Sequence, residues 1–219
     1  MFIGHFAVAF AAKPAVPRTS LATLMAAAQL LDLIWPILVL LGVETIRIEP
    51  GPNPFLHLRF VSYPWTHSLL LSVAWGVAFA LLYRARTGYG RGAAVVGALV
   101  VSHWVLDWIT HRPDLQLAPG IETRVGLGLW TSPAATMIVE GAMFVAGVAF
   151  YARSRPARDR VGRWGFWGFV AFIVIAYAAS LAGGTPPGPE AVAASALVGW
   201  ALIPWIAWFD RHRGVAWQP

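Results

Sequence analysis

The sequence predicts an all-α fold, a polytopic transmembrane helical bundle of about six spans plus a short N-terminal half-helix. Three observations predict it. Of the 219 residues, 58% are hydrophobic. Only 12% are charged, about half the share of an ordinary soluble domain. Apolar runs of roughly twenty residues, the length that crosses a hydrocarbon core, recur along the whole chain.

The elements follow in order. Residues 1–12, MFIGHFAVAFAA, carry no basic leader and are interrupted at Gly4-His5, so they do not read as a cleavable signal. They are too short to span a bilayer. They are expected to form a half-length helix inside the bundle, where other protein covers it. A helix lying flat at the interface is the alternative. Six apolar segments follow, approximately 20–42, 66–84, 92–111, 133–152, 162–182 and 190–209. No repeat or linker divides them, so 1–219 is expected to be one membrane domain. Within it, 1–152 supplies the candidate metal-site helices, and 153–219 supplies two accessory spans and a basic tail.

Arginine placement sets the expected orientation. Lys13 and Arg18, the group Arg84, Arg86 and Arg91, the cluster from Arg153 to Arg163, and Arg211 with Arg213 all fall on one side of a six-span arrangement. That side reads as cytoplasmic, and the loops 43–65, 112–132 and 183–189 face outward. The net charge of +6 is then a property of loops on anionic lipid. No aromatic-interleaved basic run suggests a nucleic-acid surface. Cysteine is absent, which excludes disulfides and thiolate metal sites.

The chemistry concentrates at residues 102–111, SHWVLDWITH. Residues four apart share one helix face, so His103, Asp107 and His111 form a polar ridge about 12 Å long on an apolar helix. One ion cannot touch all three, but two neighbouring ions with Asp107 between them can. A carboxylate at membrane depth costs at least about 2.5–3.5 kcal/mol, which metal coordination would offset. The alternative is a set of interhelical hydrogen bonds. Further ionisable groups join the ridge: Asp32 mid-span in the first segment, His67 at the start of the second, Glu140 two turns into the fourth, and His5 in the half-helix. Imidazoles and carboxylates without thiolate suit a divalent ion such as Zn²⁺, Mn²⁺ or Fe²⁺. Taken singly, Asp32 could bond Gln29 or an indole, Glu140 could pair with Arg124, and His67 could cap its helix.

Gly4-His5, Asp32 in a long apolar helix, Thr66-His67-Ser68-Leu69-Leu70, and Ser102-His103 followed by Asp107 resemble the bacterial membrane-bound metal-dependent hydrolases, a domain-of-unknown-function family of the inner membrane. The resemblance covers roughly residues 1–150. It extends remotely to zinc-dependent phospholipase C and the P1-type nucleases, helical enzymes with three zinc ions. It implies one well-supplied site from Asp32, His67, His103 and Asp107. A second, from His111 and Glu140, lacks a ligand, because Thr136 stands where a His is expected. A third, from His5, Asp107 and a free amine, would require removal or displacement of Met1. One to three ions, Zn²⁺ first, are therefore expected.

Such a centre would activate water on a phosphoester. Asp32, and next Glu140, are the expected bases, with Arg112 and Arg124 clamping a phosphate; loop solvation is the alternative for both arginines. Burial beneath the outer headgroups favours a lipid-like or amphipathic substrate arriving sideways. Trp65, Trp104, Trp108 and Trp130 lie near that level, most of them expected in the interfacial belt. Asp210, His212 and the arginines near them read as a cytoplasmic anchor, and His57 as a solvated loop residue, with an extra metal ligand as the alternative. Two other functions remain open, a metal-ion or proton transporter and a non-catalytic scaffold with a structural metal.

Overall fold

The computed structural model describes residues 1–214, so the last five residues of the basic tail lie outside the described part. Helix α1 (Ile3–Ala12) is the half-helix, and it is not interfacial: Ile3, Gly4, His5, Phe6, Ala7, Ala9 and Phe10 are all buried. It lies inside the bundle against a later helix. A Cβ on Gly147 would overlap the Ala7 backbone, so glycine there permits the close approach.

Helix α2 (Leu21–Ala28), capped by Ser20, and α3 (Leu30–Leu40) together fill the first apolar segment. They are bent by 52° at Gln29. Pro36 within α3 removes the donor that would serve the Asp32 carbonyl and adds to the irregularity there. Strands β1 (Thr45–Ile48) and β2 (Leu58–Ser62) form an antiparallel hairpin in the first long loop. A single-turn helix α4 (Pro64–His67) then precedes α5 (Leu69–Thr87), so His67 sits just before the second span, whose N-terminus Ser68 caps.

Helix α6 (Gly90–Thr110) carries the His/Asp ridge and is the most deeply buried span. The small hairpin β3 (Leu115–Gln116) and β4 (Arg124–Val125) follows. Helices α7 (Pro133–Ser154), α8 (Arg160–Ala182), α9 (Pro189–Ala196) and α10 (Val198–Arg211) complete the chain. Among the described residues, five units are long and apolar enough to cross a membrane: α5, α6, α7, α8, and α9 with α10. The bent pair α2–α3 makes up to six.

The main core joins α1, α2, α6, α7, α8 and α10 through residues such as Phe10, Leu24, Val100, Tyr151 and Phe169. A second cluster of Trp35, Ile46, Tyr63, Trp104 and Leu115 seals the hairpins onto the bundle. The outer faces of α5, α7 and α8 leave Val77, Leu81, Ile138, Val145 and Ile175 more than half exposed. Apolar surface on that scale is a lipid-contacting surface.

At the opposite end of the bundle, Asp210 is not part of a solvated anchor. It is buried, accepting from the Tyr151 hydroxyl at 2.7 Å and the Leu21 N–H at 2.9 Å, with the Lys13 ammonium 3.6 Å away. Lys13 also donates to the Thr19 carbonyl at 2.5 Å. Burial pulls the Lys13 pKa down, with Asp210 opposing the shift. This cluster ties α1, α2, α7 and α10 together. His212 sits at its edge, 2.6 Å from Asp159, the cap of α8.

Candidate metal centre

Helix α6 presents His103 and Asp107 one turn apart, and both are almost fully buried. The His103 Nδ1 is 2.7 Å from the Ala28 carbonyl at the end of α2, so that nitrogen carries the proton and donates it. The His67 Nδ1 is 2.7 Å from the Thr66 hydroxyl, which itself donates to Glu44 at 2.8 Å. The His111 Nδ1 is 3.0 Å from an Asp114 oxygen. All three imidazoles are thus committed at Nδ1, which leaves Nε2 with its lone pair. Second-partner bonds of this kind fix tautomer and ring orientation in metal-ligating histidines.

The free Nε2 atoms converge on carboxylates. His103 Nε2 is 3.2 Å from Asp107 Oδ2 and 3.6 Å from Asp32 Oδ1. His67 Nε2 is 3.4 Å from Asp32 Oδ1 and 3.6 Å from Asp107 Oδ2. Buried His103 Nε2 makes no hydrogen bond despite these neighbours. Imidazolium–carboxylate bonds would draw in to about 2.7–2.9 Å. A tetrahedral ion with bonds of about 2.0–2.1 Å instead sets its ligand atoms about 3.4 Å apart. The four separations are longer than such bonds and close to the spacing of ligand atoms around an ion.

Two groups able to chelate a metal result, Asp32–His67–His103 and His5–His103–Asp107. They share His103, and Asp107 lies between them. His5 Nε2 is 3.1 Å from Asp107 Oδ1, and its ring stacks on that of His103 with centroids 3.7 Å apart. The Met1 amine contacts the same Oδ1. His111 Nε2 stands 4.0 Å from Oδ1, at the margin.

Glu140 belongs to neither group. Its Oε2 accepts from the N–H groups of Phe2, Ile3 and Gly4 at 2.9, 2.8 and 3.4 Å, so it caps α1 instead of pairing with Arg124. The first N–H groups of any helix lack partners, and at this depth only protein can supply one. Thr136 is turned away from the centre, bonding Leu129 and Ser132 carbonyls at 2.9 Å each. Arg112 donates to the Leu58 carbonyl at 3.1 Å and Arg124 to the Val61 carbonyl at 3.0 Å, bracing the first hairpin. With Arg59 they surround a hollow of about 520 Å³ beside Asp114. His57 takes no part in either group. Two of the four tryptophans contact the centre: Trp104 is buried and donates to the His67 carbonyl at 3.1 Å, and Trp130 packs on His111 at 4.2 Å.

No model of a known protein family, no characterised protein and no solved structure matches the chain. The chemistry of the centre is read from its own geometry.

Sequence reasoning missed three residues of the centre's outer layer, Glu44, Tyr63 and Asp114. Glu44 is 1% exposed and grips both the N–H and the hydroxyl of Thr66. Burial pushes its pKa up, while His67 and the Thr66 bonds oppose the shift. Tyr63 donates to Asp114 at 2.9 Å, and burial together with that carboxylate holds its phenol well above the usual range. The signal for Asp114 was local: an acid three residues past His111, across the Arg112-Pro113 stop. Glu44 and Tyr63 had no such signal, because the β1–β2 hairpin brings them to the site.

Proposed function

We propose that this chain is a membrane-embedded, metal-dependent hydrolase of a phosphoester in a lipid-like substrate. The observation that carries the reading is the convergence of two Nδ1-committed imidazoles, His67 and His103, on two carboxylates, Asp32 and Asp107, with each Nε2 lying 3.2–3.6 Å from both. Two imidazoles and two carboxylates suit Zn²⁺ first, and serve Mn²⁺ or Fe²⁺. When bound, such an ion supplies Lewis acidity and activates water as a nucleophile near neutral pH.

The chain's own residues divide the rest of the work. Asp32 is the one ligand whose side chain is substantially exposed, at 44%, so it can meet substrate and accept a proton while helping to hold the ion. Glu140 is the second choice as base, through an Oε1 that has no partner. His5 and Asp107 would hold a second ion, and Arg112 and Arg124 would meet a phosphate from the loop side. The resemblance to the bacterial membrane-bound hydrolases supports both the reaction class and a place in the inner membrane. The arginine pattern supports a centre under the outer leaflet.

The test is metal analysis of protein purified in detergent, combined with a phosphoester screen. Wild type should hold stoichiometric metal and turn over an ester. His103→Ala and Asp107→Ala should lose both while keeping their helical circular dichroism. Undiminished turnover in either variant would overturn the proposal. A second reading, a structural metal staple, draws on one observation: His67, His103 and Asp107 are buried, and structural sites are closed by protein ligands alone. It predicts metal and stability without turnover.

A further inference from the structure

A groove of about 510 Å³ runs between α1, α3, α8, α9 and α10. Phe6, Leu33, Trp35, Phe172, Ile173 and Leu202 line most of it. Its volume falls within the range of small-molecule sites, about 300–1,000 Å³. Two polar side chains with chemistry to offer stand on its wall, Asp32 and Gln29. Asp32 is also one of the four converging donors. Gln29 is buried, and its amide nitrogen has no hydrogen-bond partner. It occupies the 52° break between α2 and α3. Irregular backbone at membrane depth is tolerated where it lines a cavity, and an orphaned donor there wants an acceptor that the protein does not provide.

We infer that this groove binds a single hydrocarbon chain of the substrate, with the ester group carried to Asp32 and a phosphoryl or ester oxygen accepting from the Gln29 amide. The inference rests on the hydrolase reading for the identity of the headgroup, and on the groove alone for the chain. It gives α8, α9 and α10 a task beyond the accessory packing that the sequence suggests. A water-soluble ester would leave this wall without a complement. A two-chain lipid would have to leave one chain in the bilayer. The exposed residues Ser180, Ser195 and Val198 line the same groove and mark where a chain can pass in from the side.

The experiment uses hexadecyl phosphate carrying a terminal diazirine, photolysed on the metal-loaded full-length protein in detergent and mapped by mass spectrometry. Labels are expected on the α8 and α10 peptides that contain Phe172 and Leu202. Excess hexadecylphosphonate should remove them, and hexadecanol should not. Ala176→Phe, which fills the groove, should reduce groove labelling at least tenfold with metal content retained. Should an alkyl phosphate series prove to be substrates, the same variant should lower the kcat/KM ratio of dodecyl over butyl phosphate at least tenfold. Labelling spread over α5 and α7, or equal displacement by hexadecanol, would overturn the inference, the second outcome marking a groove that holds bulk lipid only. Groove labelling with the expected competition but no turnover of any ester would overturn the hydrolase reading and leave the groove assignment standing.

Discussion

Thr66→Val tests the centre through a residue that never touches the ion. The Thr66 hydroxyl is fully buried, 2.7 Å from His67 Nδ1 and 2.8 Å from Glu44. Valine keeps the shape and removes the oxygen. The His67 Nδ1–H then has no acceptor, and the tautomer protonated at Nε2, which cannot ligate, becomes competitive. Losing such an outer partner typically weakens metal binding about 10–100-fold, which is about 1.4–2.7 kcal/mol. Leaving a buried donor unsatisfied costs the fold a further 1–3 kcal/mol, roughly. The assay is competition for Zn²⁺ against a chromophoric chelator, on detergent-purified protein at fixed pH. Thr66→Ser restores the hydroxyl and should bring affinity back to within about threefold of wild type. If Thr66→Val binds Zn²⁺ as tightly as wild type, either His67 is not a ligand or its Nδ1 bond does not hold it in place, and the tautomer assignment fails.

Glu140→Ala removes the acceptor for three N–H groups of α1 and should cost about 3 kcal/mol or more; thermal unfolding in detergent would show it, and an unchanged midpoint would contradict the capping role. Asp210→Ala strands the Lys13 ammonium, the Tyr151 hydroxyl and the Leu21 N–H at the other end of the bundle, for an expected loss of about 3–5 kcal/mol. The same melt reads it, with the double variant Lys13→Met/Asp210→Ala expected to recover part of the loss. Zn²⁺ at a hundred times its dissociation constant should add about 2.7 kcal/mol to the stability of metal-stripped protein, visible as a concentration-dependent rise in Tm that a chelator reverses.

The bundle and part of its centre were legible because helix periodicity and apolar length are local properties. The spacing of His103, Asp107 and His111 fixes one helix face wherever the helix goes. The half-helix was legible from its length, and its cover is now seen to be α7. Other parts depend on distant chain segments. Glu140 reads as a ligand by residue type alone, yet the unsatisfied start of α1 takes it. Asp210 reads as a tail residue because its partner Lys13 is nearly the whole chain away. Gln29 carries no mark of a break, since no proline or glycine stands there; Pro36 lies two turns further on. Trp104 and Trp130 look like belt residues by composition and become contacts of His67 and His111 only when the loops fold back.

The bent span at Gln29 is a feature that transporters also use, so it has to be weighed against the hydrolase reading. A transported ion needs polar partners along its whole path, because each unpaired charge in an apolar interior costs several kcal/mol. Here the core that packs α2, α6 and α7 together includes Leu24, Met25, Val96, Leu99, Val100 and Val148, all buried and all apolar. The far cluster is itself closed, with Asp210 accepting two hydrogen bonds and paired with the Lys13 ammonium. Among the described residues, the groups able to hold an ion comprise His5, Asp32, His67, His103 and Asp107, and none includes Asp210. The centre opens instead along Asp32 into the lateral groove. A site sealed below and open to the side is poorly placed to pass an ion through a membrane and well placed to meet a molecule already dissolved in one.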